Sequence, residues 1–258
     1  MPAGQPPGAA EVRARTLTPD DALLEYLDDH GMRRISRRLI RTGAVDMVAT
    51  AAPGIKDILV LGKIKQLERK GAAGLSDEAP DLIVLDAPAA GHAVTFLQSA
   101  HGLLDAVRVG PIRTQAQEVV ELLSDPTRCQ VMLVTLPEET PVNELVETAY
   151  SLEDRVGVQL APVVVNGLYP VVEGLDADPG ELALAANVHL SAAELGALAA
   201  AADFRRQRQQ LQSEQLARLA DALPLPQVRL PYLFTESIGP TEVEVLAEAL
   251  TSGIGDLP

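Results

Sequence analysis

Asp86 closes the apolar run Asp81–Asp86 (DLIVLD) and is followed by Ala87, Pro88, Ala89, Ala90, Gly91 and His92. A carboxylate at the end of an apolar strand can hold Mg²⁺ directly or through water, although an aspartate there also serves as a helix cap or turn residue. The small residues leading to Gly91-His92 strengthen the first use. A second run, Ala161–Asn166 (APVVVN), ends on an amide that can donate and accept a hydrogen bond at once. Before Gly167 that residue can equally turn the chain. Other chemistries find no support in spacing. His30, His92, His101 and His189 show no metal-ligand pattern. Cys129 is the only cysteine, too few for a disulfide framework or a three-thiolate metal site, and it reads as a packed small hydrophobe opening a strand. Neither a G-x-S-x-G nucleophile elbow nor a G-x-G-x-x-G dinucleotide fingerprint occurs.

Strand-end residues need strands to place them. Four runs dense in β-branched or leucine side chains punctuate the chain: Asp81–Asp86, Gln130–Thr135, Ala161–Asn166 and Pro226–Leu230. Runs this apolar suit strands covered on both faces, and the roughly 25 to 60 residues between them fit crossovers, not hairpins. The pattern predicts an α/β fold with a mainly parallel sheet flanked by helices. Thr18-Pro19-Asp20-Asp21 predicts a capped helix over Pro19–Asp29. Thr140-Pro141 predicts another, with Leu145, Thr148, Ala149 and Leu152 on one stripe. Ser191-x-x-Glu194 is a capping box for a long amphipathic helix past Phe204, Leu211 and Leu219 towards Leu223, and Gly239-Pro240 opens the last one. His30 and His101, each before a glycine, read as helix ends.

The organisation follows. Residues 1–16, with Pro2, Gly4, Pro6, Pro7 and Gly8, read as a flexible leader without a signal peptide's apolar stretch. A single α/β domain is expected over 17–258, with a helical block at about 19–70, broken at Gly31, Gly43 and Pro53-Gly54, and a sheet-forming part at about 80–258. Only 3% of the residues are aromatic against 47% hydrophobic, so the core must be aliphatic. The net charge of −15 would repel phosphate backbones, which argues against nucleic acid as a partner. The longest uncharged stretch, Ala87–Leu104, contains Pro88, Gly91, His92, His101 and Gly102. Stable membrane insertion is therefore not expected, and a cytoplasmic location is. The arginines Arg33, Arg34, Arg37, Arg38 and Arg41, and likewise Arg205, Arg206 and Arg208, read as solvated helix surface, with an anion or partner surface as the alternative for the first group.

The run from Asp86 to His92 resembles the switch segment Asp-Thr-Ala-Pro-Thr-Gly-His of the ArsA family, which includes arsenite-pump and tail-anchored-protein-targeting ATPases. Further matches keep their order: Pro53-Gly54-Ile55, Thr135–Glu144 (TLPEETPVNE), Val163–Asn166 and Leu230–Glu236 (LPYLFTE), so the resemblance runs from about Pro19 to Leu250. It implies a phosphate-loop-NTPase-like fold and ATP or ADP with Mg²⁺ as ligands. Asp86 would take the magnesium-side role, and Gly91 and His92 would belong to a nucleotide-sensing switch. Asn166 would hydrogen-bond the adenine edge, and the Pro231–Glu236 segment, with Pro231, Tyr232 and Leu233 foremost, would line the adenine pocket with backbone groups.

The departure from the family is as informative. Its glycine-rich phosphate loop, Gly-Lys-Gly-Gly-x-Gly-Lys-Thr, has no counterpart in this sequence, nor does the first-switch aspartate that positions the attacking water. Gly62-Lys63 is followed by Ile64 and preceded by Asp57 where a phosphate loop needs Ser/Thr and glycine, and it sits in a helical pattern. Three lost phosphate contacts at about 1.5–3 kcal/mol each amount to roughly a thousandfold to a millionfold in affinity. The chain is thus expected to bind adenine nucleotide incompletely and not to hydrolyse ATP alone. It would act as a degenerate or partial subunit, in a dimer or hetero-oligomer that an intact ArsA-like ATPase could complete. A scaffold subunit with a vestigial pocket, and a truncated form of a complete anion-transporting ATPase, are the alternatives.

Overall fold

The computed structural model describes residues 12–29, 31–34, 37, 54–72 and 80–257. The chain divides into two compact units, residues 1–88 with 95–122 and residues 89–94 with 123–258. The division cuts one helix after Val94 and another after Leu122.

The first unit is helical. Helix α1 (Pro19–Asp29) starts where its cap predicts, with the Asp21 amide donating to Thr18 Oγ1 at 3.2 Å. Ala22, Leu23 and Leu27 carry its buried face against α2 (Ile55–Ala72), where Ile58, Leu59, Val60 and Leu61 are all buried. Four consecutive buried residues leave α2 covered nearly all round at that level, so it is the core of this unit. Helix α3 (Ala90–Ala106) buries Phe96, Leu97, Ala100 and Leu103, and α4 (Pro111–Ser124) buries Ala116, Val119 and Leu123 at helical spacing. Arg113 closes the end of α3 by donating to the carbonyls of Leu104 and Val107, at 2.6 and 2.8 Å.

The second unit holds the sheet. Its elements are β1 (Gln130–Val131), β2 (Val134–Thr135), α5 (Glu139–Arg155), β3 (Gln159–Leu160), β4 (Val163–Leu168), α6 (Pro179–Ala185), α7 (Ala192–Ala222), β5 (Gln227–Pro231) and α8 (Pro240–Gly255). All pairings are parallel: β1 with β3, and β2–β4–β5 in that order. Helices α5 and α7 therefore lie on the crossovers that parallel strands require. Val163, Val164 and Val165 are buried in succession, which covers both faces of β4. The capping box of α7 is present, with Ser191 Oγ accepting from the Glu194 amide and Glu194 accepting from the Ser191 amide.

Several expectations are corrected. Asp81–Asp86 is not a paired strand: it is irregular chain with Leu82 and Val84 exposed, because no described strand offers it a ladder. Helix α5 begins one turn position before Thr140, with Glu138 as its N-cap and no side-chain cap bond, so Thr140 lies inside the helix. Its stripe of Leu145, Thr148, Ala149 and Leu152 is buried as predicted. His101 does not end a helix but sits within α3. His30, Arg38, Arg41, Gly43, Pro53 and residues 1–11 lie outside the described residues. Helix α7 is not apolar along its length: Phe204 is exposed, and burial is confined to Gln212, Gln215 and Leu219.

Candidate functional site

In the second unit the C-terminal ends of β2, β4 and β5 converge, the place where open α/β sheets present residues to ligands. Strand β4 stays in register with β5 through Val165↔Arg229 and then shifts before Leu168↔Pro231. Asn166 and Gly167 occupy the irregularity. Gly167 has φ +78°, and a Cβ there would lie 3.6 Å from Leu136 and 3.8 Å from Tyr232. The glycine supplies a backbone turn that other residues adopt at a cost, and it sits between the ends of the two flanking strands.

Helix α7 fixes this corner. Gln212, 3% exposed, donates through Nε2 to the Gly167 carbonyl at 3.0 Å and accepts from the Tyr169 amide at 2.9 Å. Both backbone groups freed by the shift are thus satisfied by one side chain. The Tyr232 amide donates to the Leu168 carbonyl at 2.7 Å. Arg208 donates to Glu138 at 2.8 Å, and that carboxylate raises the guanidinium pKa above its ordinary value. Arg218 donates to the Glu139 carbonyl at 3.0 Å, so α7 also grips the start of α5.

Three of the chain's seven aromatic residues meet here. Tyr169, Tyr232 and Phe234 lie with ring centroids 4.8 to 5.3 Å apart, within the range of favourable tilted and edge contacts. The Arg205 guanidinium lies 4.5 Å from the Tyr169 centroid and 4.9 Å from that of Phe234, and donates to the Pro170 carbonyl at 2.8 Å.

Beside the corner is a cavity of about 250 Å³ that Asn166 lines with Thr135, Leu136, Glu144, Thr148 and Ala90. The Asn166 amide makes no hydrogen bond to another described residue, so it has both a donor and an acceptor to offer. Ala90 is the first residue of α3, which brings the start of that helix to the same cavity. Gly91 and His92 follow it in the first turn and are exposed, with the His92 amide bonded to the Ala89 carbonyl at 2.8 Å. Pro231 is the partner of Leu168 at the end of β5, and Tyr232 and Leu233 follow it. Asp86 is exposed and belongs to the first unit. Among the described residues no group of three or more His, Cys, Asp or Glu residues could hold a metal ion. Burial raises the Cys129 thiol above its ordinary pKa, so it resists ionisation.

Gln212, Tyr169 and Arg205 are not among the residues expected at the site, and Phe234, expected only as part of the Pro231–Glu236 backbone, takes part through its ring. The signal for Gln212 was its place with Gln215 and Leu219 at i, i+3 and i+7 on α7, where a buried amide needs partners. Gly62-Lys63 lies inside α2, its backbone committed to the helix, and is no phosphate loop.

No family model matches the chain. The ATPase BagA of Mycobacterium tuberculosis (strain ATCC 25618 / H37Rv) is 32% identical over 236 residues, covering 86% of this chain and 68% of the relative. Mb3704 of Mycobacterium bovis, also named an ATPase, matches to the same extent. A Halobacterium salinarum protein named for an arsenical pump-driving ATPase is 24% identical over 190 residues, which is 70% of this chain but 26% of that one.

Proposed function

The chain belongs to the ATPase family that includes these mycobacterial relatives, and on that premise we propose that it is an ArsA-related protein whose sheet unit binds the adenosine end of ATP or ADP. The unpartnered Asn166 amide, lining a cavity at converging parallel strand ends, carries this reading. An amide that donates and accepts matches the adenine amino group and ring nitrogen. Gln212 holds the Gly167 turn so that Asn166 keeps its place, and the Pro231–Leu233 segment, tied to Leu168, closes the adjoining edge with backbone groups.

The phosphate end is served less well. Gly91 and His92 would be the switch side of the site in this unit, and the family resemblance gives Asp86, in the first unit, the magnesium-side role, where Mg²⁺ would neutralise phosphate charge when bound. A lone exposed carboxylate is a weak donor set for it. No glycine-rich loop in this sequence offers the backbone amides that cradle a triphosphate. Residues 1–258 accordingly serve the adenosine end and do not hydrolyse ATP by themselves, and the phosphate contacts come from outside them, either from a second ATPase chain in an oligomer or from further sequence of the same protein. The apolar residues Leu82 and Val84, exposed beside Asp86, are the kind of surface such a partner would cover.

Calorimetry with adenosine, ADP and Mg-ATP tests this. All three are expected to bind with similar millimolar affinity, because the phosphates add little, and Asn166→Ala should abolish the signal. Submillimolar Mg-ATP binding with steady phosphate release by the chain alone would refute the incomplete-site reading. No binding of any of the three would refute the adenosine site itself.

A further inference from the structure

Lys56, Lys63, Lys65 and Lys70 are all the lysines of the chain, and all four lie on α2; every other side-chain cation fixed at neutral pH is arginine. Three of them, with Arg69, line a cavity of about 270 Å³ in the helical unit. We propose that this cavity is a binding site for a compact phosphate-bearing anion, separate from the adenosine site.

The charge is local and directed. Lys65 is nearly buried and pairs with Glu118, to which Arg69 also reaches at 3.4 Å, and Lys63 pairs with Glu25. Lys70 has no carboxylate partner among the described residues. Among the described residues, four lining cations face one lining carboxylate, Glu25, and one behind the wall, Glu118, which leaves a positive surplus in a chain whose net charge is −15. Such a surplus focuses anions where the rest of the surface repels them.

The walls are built for the space. Gly62 is buried in the middle of α2, where glycine costs about 1 kcal/mol relative to alanine. A Cβ there would overlap the Gln115 side chain, 1.8 Å from its Nε2. The glycine lets Gln115 of α4 lie against α2, donate to the Ile58 carbonyl at 3.3 Å and line the cavity. The volume falls below the roughly 300–1,000 Å³ of sites for drug-sized ligands, which suits pyrophosphate or a small phosphomonoester. Lysines suit it too, each a compact charge with three rotatable donors that can follow a tetrahedral group, and Arg69 adds a fork that can pair with two phosphate oxygens.

The lysine distribution supplies the assay. With ¹³Cε-labelled lysine the full chain gives four side-chain signals, and Lys56, which does not line the cavity, is the internal control. Pyrophosphate should shift Lys63, Lys65 and Lys70 saturably with a Kd below 1 mM at about 50 mM salt, leaving Lys56 in place. Lys63→Gln and Lys70→Gln should each weaken binding at least tenfold, and citrate should bind at least tenfold more weakly than pyrophosphate. Asn166→Ala should leave the pyrophosphate affinity unchanged whether or not adenosine binds. The proposal is overturned if nothing saturates, if all four lysines drift together, if citrate binds equally, or if the lysine variants bind like the parent. It also fails if Asn166→Ala weakens pyrophosphate binding, since the anion would then occupy the adenosine site.

Discussion

Strand β4 and the run Asp81–Asp86 are near equivalents as sequence, each a short stretch of valine, isoleucine and leucine beside a polar end. In the structure they part company. Val163, Val164 and Val165 are 1, 4 and 0% exposed, while Leu82 and Val84 are 78 and 83% exposed. The difference lies in their neighbours: β4 has β2 on one side and β5 on the other, and no described strand pairs with Asp81–Asp86. Apolarity gives a strand the capacity to be covered; backbone pairing decides whether it is.

The comparison can be pressed hardest where β4 ends. Gln212→Leu removes the partners of the Gly167 carbonyl and the Tyr169 amide together. At about 1–3 kcal/mol for each stranded buried group, the loss should be about 2–4 kcal/mol in urea unfolding, and adenosine binding should weaken with it. A loss under about 1 kcal/mol would mean water replaces the glutamine and α7 does not set the strand end. Val165→Ala should cost about 2–3 kcal/mol, from buried methyl groups and the cavity they leave.

How much of this was legible beforehand depended on whether the determinant was local. The helix starting at Pro19 was readable from Thr18, and that starting at Ala192 from Ser191 and Glu194, because caps act within one turn. The runs Ala161–Asn166 and Pro226–Leu230 are readable as parallel strands, but β4 starts at Val163 and runs two residues past Asn166, and Gln130–Thr135 is split into β1 and β2, which pair with different strands. The exposure of Asp81–Asp86 was not, since it turns on a pairing partner distant in sequence. Thr140 misled because a hydroxyl before proline also fits inside a first turn. The aromatic corner was hidden for a similar reason: Tyr169, Arg205 and Phe234 are separated by dozens of residues and meet only through the β4–α7–β5 crossover.

A smaller effect separates the two units by chemistry. Lys65 hydrogen-bonds Glu118 and holds its carboxyl pKa below the ordinary value, although burial opposes the shift. A carboxylate lowered in the folded state stabilises above its unfolded pKa, about 4.3, and that contribution fades as pH falls through the lowered folded value. The β4 core has no such group. Hydrogen exchange, corrected for intrinsic rates, should show α2 amides losing up to about 1 kcal/mol of protection between pH 6 and pH 3, the value being limited by solvent screening. Protection in β4 should stay level when the whole chain remains folded. Glu118→Gln should flatten the α2 profile; an unchanged slope would assign it to other carboxylates.

The smallest expected effect bears on the comparison most directly. Val84→Ser should change stability by less than about 0.5 kcal/mol, because an exposed side chain has little burial to lose. The measurement belongs at two protein concentrations a hundredfold apart. A loss approaching that of Val165→Ala, growing with concentration, would mean that a second copy covers Leu82 and Val84 in solution, since only an associated state gains stability by mass action. A loss independent of concentration would mean that the run is covered within its own chain. Insensitivity at both concentrations would mean that Leu82 and Val84 are uncovered in the isolated chain, as their 78 and 83% exposure has them, and that apolarity without a paired neighbour does not bury a strand sequence.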